Sequence, residues 1–226
     1  MIAPPDPAGT SLAIGGVVLA AGHSFRMGQS KALLTIEGTP FLARAIETLL
    51  AGGCDPVIVV VPPGEEGRRM AELAEERGTT AVENPEAGSE QVDSLRLGLG
   101  AIESRGSAGR PGCAAAVILP VDMPLVRPAT VLALIAAFRA RRAPIVRPVQ
   151  GGRPGHPVLF ARSLWDDLRA PGLAEGARDV LHSRREEIED IPIHDDGVGV
   201  DIDTPQDYAR ALGEHPSAGS SSGDQA

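Results

Sequence analysis

Between Leu19 and Lys31 the chain reads LAAGHSFRMGQSK, and these residue types suit the holding of a polyphosphate. Ala20, Ala21 and Gly22 are small enough for backbone N–H groups to approach an anion closely. Arg26 offers a planar fork for phosphate oxygens, and Lys31 a mobile point charge. Two familiar phosphate loops do not fit. A Walker loop needs four residues between its glycines and then Lys-Ser/Thr directly. Here five residues separate Gly22 from Gly28, and Lys31 comes three later. The G-x-G-x-x-G fingerprint is absent, and Gly98-Leu99-Gly100, lying after a helical pattern, is only a fragment of it.

Carboxylates form the second group. Asp122 follows an apolar run from Ala115 to Leu119 and sits between Pro120 and Pro124. There it can serve a hard cation through oxygen ligands, or cap the helix that starts near Pro128. Asp201 and Asp203 alternate with Ile202, so an extended backbone projects both to one side. Either can bind a metal with Asp122 while the other orients water, and Asp203 is alternatively a helix-start residue before Thr204-Pro205. Asp195-Asp196-Gly197 reads as a turn. A third group faces an acceptor. His156, held between Gly155 and Pro157, can reach a phosphate or act as an ordinary loop residue, and Arg153 can steer an anion. Ser94 lies near the start of a helix whose N-terminus can meet a phosphate or a base, and Arg96 can pair with Asp93. His182, His194 and His215 have no metal-ligand spacing.

The elements that must position these groups alternate. Strands are predicted at Ile14–Ala20, Val57–Val61, Thr79–Val82, Ala115–Leu119, Pro144–Arg147, Pro157–Phe160 and Gly199–Ile202. Helices are predicted at Phe41–Ala51, Glu65–Arg77, Glu90–Ser104, Pro128–Arg141 and Ala177–Ser183. In the first helix Phe41, Leu42, Ala45, Ile46, Leu49 and Leu50 recur at helical spacing. Thr204-Pro205-Gln206-Asp207 reads as the capping sequence of a final short helix. Such alternation predicts an α/β fold: a mainly parallel sheet with helices on both faces, whose ligands sit beyond the carboxyl ends of strands. Only 3% of residues are aromatic, so the core falls to Ala, Val, Leu and Ile, as parallel sheets prefer. A net charge of −9 argues against nucleic acid as a partner. No run is long enough to span a membrane, and the start lacks the pattern of a secretory signal, so a cytoplasmic location is expected. Cys54 and Cys113 are expected as small buried or half-buried thiols. Residues 1–11 and 214–226 are expected as disordered tails around one domain, 12–213.

LAAG-x-S-x-RMG-x-x-K resembles the signature of the small nucleotidyltransferases that act on the molybdenum cofactor. PVDMP at Pro120–Pro124 is similar to that family's metal-binding strand end, GHPV at Gly155–Val158 to its acceptor segment, and DIDTP at Asp201–Pro205 to its closing motif. The Gly88–Arg96 stretch resembles the family's G-x-x-x-S-L-R region. It departs by placing Gly88 six residues before Ser94, with Glu90 and Asp93 where Ser is common. The resemblance implies a three-layer Rossmann-like sandwich of the nucleotide-diphospho-sugar transferase type. It implies Mg²⁺-dependent transfer of CMP from CTP to the terminal phosphate of molybdenum-molybdopterin, with release of pyrophosphate, serving a molybdenum hydroxylase or its maturation factor. Leu19, Ala20, Ala21, Gly22, Arg26, Lys31, Ser94 and Asp122 would bind the nucleotide, and Lys31, Arg26 and Asp122 would carry catalysis. Asp122 with Asp203 or Asp201 would hold the metal, and His156 and Arg153 would meet the acceptor. Ala21 is typical of the cytidylyltransferases, its methyl crowding a purine, whereas guanylyltransferases using GTP more often have Gly. The rivals are a guanylyltransferase, an enzyme with another phosphorylated acceptor, and a non-catalytic factor that binds the cofactor.

Overall fold

A computed structural model describes residues 13–22, 30–86, 91–107, 112–173 and 175–213. Short β-branched runs form the strands and longer amphipathic stretches the helices. In chain order they are β1 (Ile14–Leu19), β2 (Thr35–Ile36), β3 (Thr39–Pro40), α1 (Phe41–Ala51), β4 (Val57–Val61), α2 (Gly64–Glu75), β5 (Thr80–Glu83) and α3 (Gln91–Ser107). There follow β6 (Ala115–Pro120), α4 (Pro128–Arg141), β7 (Ile145–Gln150), β8 (Arg153–Pro154), β9 (Val158–Ala161), α5 (Trp165–Arg169), α6 (Ala177–Ser183), β10 (Ile188–Pro192) and α7 (Pro205–Ala211).

Among the described residues the main sheet has eight strands in the order β10-β7-β9-β6-β1-β4-β5, with β8 paired to β7. The run β6-β1-β4-β5 is parallel, β9 is antiparallel to both neighbours, and β10 runs parallel to β7. Side chains alternate between two cores, as the strand period of two requires. Val18, Val59, Val117 and Leu119 face α1, α2 and α4. Val17, Leu19, Ile58, Val60, Ala116 and Ile118 face α3, α5 and α6. The α/β sandwich predicted from the alternation is therefore the fold observed. Cys54 and Cys113 are buried free thiols, and burial pushes Cys54 up to about 12.

Three differences from the sequence expectations matter. Leu50 is exposed, so the buried stripe of α1 ends at Leu49. The strands β10, β2 and β3 were not predicted; β10 carries the polar sequence IEDIP on the sheet edge, where no hydrophobic alternation is needed. The strand expected at Gly199–Ile202 is absent: Asp196–Gly199 is a 3₁₀ turn followed by irregular backbone.

That turn has a physical cause. A Cβ on Gly197 would stand 2.2 Å from the carbonyl oxygen of Leu125, so glycine lets this segment press against the loop after β6. The buried carboxylate of Asp195 fastens the contact. It accepts from the backbone N–H of Arg127 at 2.9 Å and of Gly197 at 3.1 Å, and from the Thr130 hydroxyl. Asp195 thus caps α4 from outside the helix and ties the 195–203 segment to it. Asp195→Ala strips the partners from two backbone donors and a hydroxyl at a buried site, and is expected to cost about 2–3 kcal/mol. Thermal unfolding should show a fall in Tm of about 4–12 °C.

Candidate functional site

The parallel strands end at one edge of the sheet: β1 at Leu19, β6 at Pro120, β4 at Val61 and β5 at Glu83. Because β9 is antiparallel, its beginning lies at that same edge, with His156 just ahead of it. Leu19 is in register with Pro120, and Val121 N–H donates to Leu19 O at 3.1 Å. The start of the small-residue loop and the Asp122 turn therefore grow from adjacent strands. Leu19, Ala20 and Ala21 are buried and Gly22 is exposed; Arg26 lies outside the described residues.

Lys31 opens a 3₁₀ turn, Lys31–Leu33. Its Nζ donates to Asp203 Oδ1 and lies 3.9 Å from Asp122 Oδ2. The side chain is largely buried, so this charge is held in place and little screened. The closing segment reaches Asp122 through its backbone: Ile202 N–H donates to Asp122 O at 2.9 Å. Ile202 is fully buried, while Asp201 is exposed and Asp203 half-exposed. The expected alternation of the two carboxylates is present even without a strand.

Both helix-cap alternatives go to other residues. Asp195, not Asp122, caps α4. Thr204 caps α7 in a reciprocal capping box with Asp207, which leaves Asp203 to Lys31. Burial raises the pKa of Asp122 above its ordinary value. Lys31 opposes the rise, and the charges of Asp203 and Asp201 add to it.

Among the described residues no three His, Cys, Asp or Glu side chains form a ready-made metal cage. The donors nonetheless fit a hard cation that keeps water and takes phosphate oxygens as ligands, since such an ion needs only one or two carboxylates. The crowding of negative charge on Asp122 is what a divalent cation relieves.

Beside this cluster opens a cavity of about 590 Å³. Its walls include Leu19, Leu95, Pro120, Phe160, His156 and Arg178. Gly155 lets the segment ahead of β9 press against the backbone of Val198, because a Cβ there would come within 1.9 Å of Val198 O. His156 N–H donates to that same carbonyl at 3.0 Å. Burial lowers the pKa of His156; Arg178 adds to this and Asp201 opposes it. That direction favours the neutral imidazole, which can accept as well as donate a hydrogen bond, although the residue as a whole is exposed to solvent. Asp201 acts on both Asp122 and His156, so the carboxylate cluster and the cavity are neighbours.

Other predicted residues have different surroundings. Ser94 is buried, and its hydroxyl accepts from Asn84 Nδ2 at 3.1 Å, joining α3 to the end of β5. Arg96 donates to Asp93 at 2.8 Å and to Ala170 O, as its pairing alternative anticipated. Arg153 is exposed on β8 and does not line the cavity. Sequence reasoning passed over Asn84 and Arg178. Asn84 carried no signal, whereas Arg178 shares one face of α6 with Leu181 and His182 at offsets of three and four.

Known proteins share this fold. The molybdenum cofactor cytidylyltransferase of Escherichia coli is 26% identical over 88% of this chain and 95% of its own length. The nicotine blue oxidoreductase of Paenarthrobacter nicotinovorans is 27% identical over 87% and 95%. The crystal structure of Rv0371c from Mycobacterium tuberculosis superposes with a TM-score of 0.76 at 28% identity, covering 90% of this chain and 99% of that one. Rv0371c has also been solved in complex with manganese. The model of the MobA-like NTP transferase domain matches residues 16–188, a span that takes in the first loop, Lys31, Asp122 and His156. The chain therefore belongs to the MobA-like NTP transferase family.

Proposed function

We propose that the protein is a Mg²⁺-dependent cytidylyltransferase that transfers CMP from CTP to the terminal phosphate of molybdenum-molybdopterin. The observation that carries this reading is the meeting of Lys31, Asp122 and Asp203 at the end of β1 and β6, beside a cavity large enough for a heterocyclic acceptor. Asp122, with Asp203 or Asp201, would hold the Mg²⁺; when bound, the ion supplies charge stabilisation at the phosphates. An acceptor phosphate oxygen attacks the α-phosphorus of CTP, and the bond from that phosphorus to the bridging oxygen breaks, so that pyrophosphate leaves. The attacking oxygen is already anionic at neutral pH, so no general base is required. Lys31 and Arg26 stabilise the departing pyrophosphate, and catalysis rests on position and preorganised charge.

In the cavity, neutral His156 orients the acceptor by hydrogen bonding while aliphatic walls cover its ring system. Ala21 favours the pyrimidine. The product serves a molybdenum hydroxylase, directly or through its maturation factor, and the reaction takes place in the cytoplasm. The described residues include no helix long and apolar enough to cross a membrane.

The test is a drop-out assay of pyrophosphate release. Release is expected only when CTP, Mg²⁺ and molybdenum-loaded molybdopterin are all present. Acceptor binding with no release in the complete mixture would instead identify a non-catalytic cofactor carrier.

A further inference from the structure

A second hollow, of about 700 Å³, adjoins the cavity and shares Arg147, Arg178 and Leu181 with it. One wall is α6, whose offsets of three and four bring Arg178, Leu181 and His182 onto one face, continued by Arg185 from the 3₁₀ turn that follows the helix. The other is the sheet edge, with Arg147 from β7 and Ile188 and Asp190 from β10. Asp190 is the one acid among these lining residues, and it is committed: Arg147 donates to its two oxygens at 2.8 and 3.1 Å. Arg178, His182 and Arg185 make no ion pair with any described carboxylate. A surplus of unpaired cations in one groove stands out in a chain of net charge −9. It focuses a positive potential at the far end of the cavity.

We infer that this groove is a second anion subsite, built for a ligand that lies in the cavity and carries an anionic group remote from its reacting phosphate. Guanidinium groups suit such a group, whether phosphate or another oxyanion, because they bind it through paired N–H donors. A small molecule fits better than an acidic peptide because the groove adjoins the cavity, and Arg147, Arg178 and Leu181 line both. The inference rests on the acceptor reading of the cavity and extends it: the acceptor is recognised at both ends.

Two measurements on the full chain test it. In the first, the imidazole resonances of His182 are followed by NMR during titration with inorganic phosphate at constant pH. A saturable shift is expected in the wild type, with apparent affinity at least fivefold weaker in Arg185→Gln. Arg139→Gln, which removes an exposed cation from α4 in the opposite layer, should leave the response unchanged. A linear response, or equal affinity in Arg185→Gln, overturns the subsite. In the second, Arg185→Gln should raise KM for molybdenum-loaded molybdopterin at least fivefold and leave KM for CTP within twofold. Transfer with an unaltered acceptor KM also overturns it. Absence of any transfer alongside a saturable His182 shift supports the anion subsite and sinks the proposed reaction instead.

Discussion

Asp122→Ala is expected to lower the rate of pyrophosphate release by on the order of 10³, in kcat as well as kcat/KM. Its carboxylate stands where β6 ends, anchored from behind by the bond from Ile202 N–H to its own carbonyl. Removing it takes away the proposed metal ligand that both Asp201 and Asp203 surround. The same residue gives a separable stability result. The folded pKa of Asp122 is raised above 3.8, so the ionised form costs the fold. The associated stability is fully present below the unfolded pKa and is lost as pH rises through the folded value, so at pH 7 the penalty is in force. Metal-free Asp122→Asn should therefore unfold at a temperature no lower than wild type. Mg²⁺ or Mn²⁺ should raise the Tm of wild type and not that of the variant. A variant that loses activity by unfolding would show the opposite Tm change, and calorimetry distinguishes the two.

Lys31→Ala is expected to lower kcat by on the order of 10² at saturating Mg²⁺ and to raise KM for CTP, because one fixed cation at the leaving group is gone. In the ligand-free protein Lys31 lies against Asp203 and near Asp122. Its ammonium therefore shares those carboxylates with any divalent ion, and the variant should bind Mn²⁺ more tightly while turning over more slowly. Titration of Mn²⁺ by electron paramagnetic resonance, run beside steady-state kinetics, reads both. A variant with wild-type kcat at saturating metal would remove Lys31 from the catalytic set.

Much of this site was legible in the sequence. Hydrophobic runs expected to end at Ala20 and at Leu119 located the two strand ends to within one residue, and the alternation Asp201-Ile202-Asp203 set which side chains point outward. That Asp122 and Asp203 are not helix caps was not legible from their own neighbourhoods. It depends on Asp195 reaching across to Arg127 and Thr130, and on Thr204 closing a box with Asp207. The lost strand after Gly199 has the same origin, since only the approach of Gly197 to Leu125 shows why the backbone turns there. The hairpin of β2 and β3 turns through Glu37 and Gly38, both with positive φ, a short-range signal that turn chemistry could have caught. For Arg178 the helical spacing was readable, but its value comes from β7 and β10 opposite. Strand β10 has the polar sequence of an edge and gives no periodic clue.

The most direct test of the central claim is the product formed from each of the four nucleoside triphosphates with molybdenum-loaded molybdopterin and Mg²⁺, read by mass spectrometry together with pyrophosphate release. CTP should yield the cytosine dinucleotide of the cofactor and one equivalent of pyrophosphate, with GTP slower by at least tenfold. Preferential transfer from GTP would contradict the role given to Ala21, and no dinucleotide from any of the four would contradict the account itself.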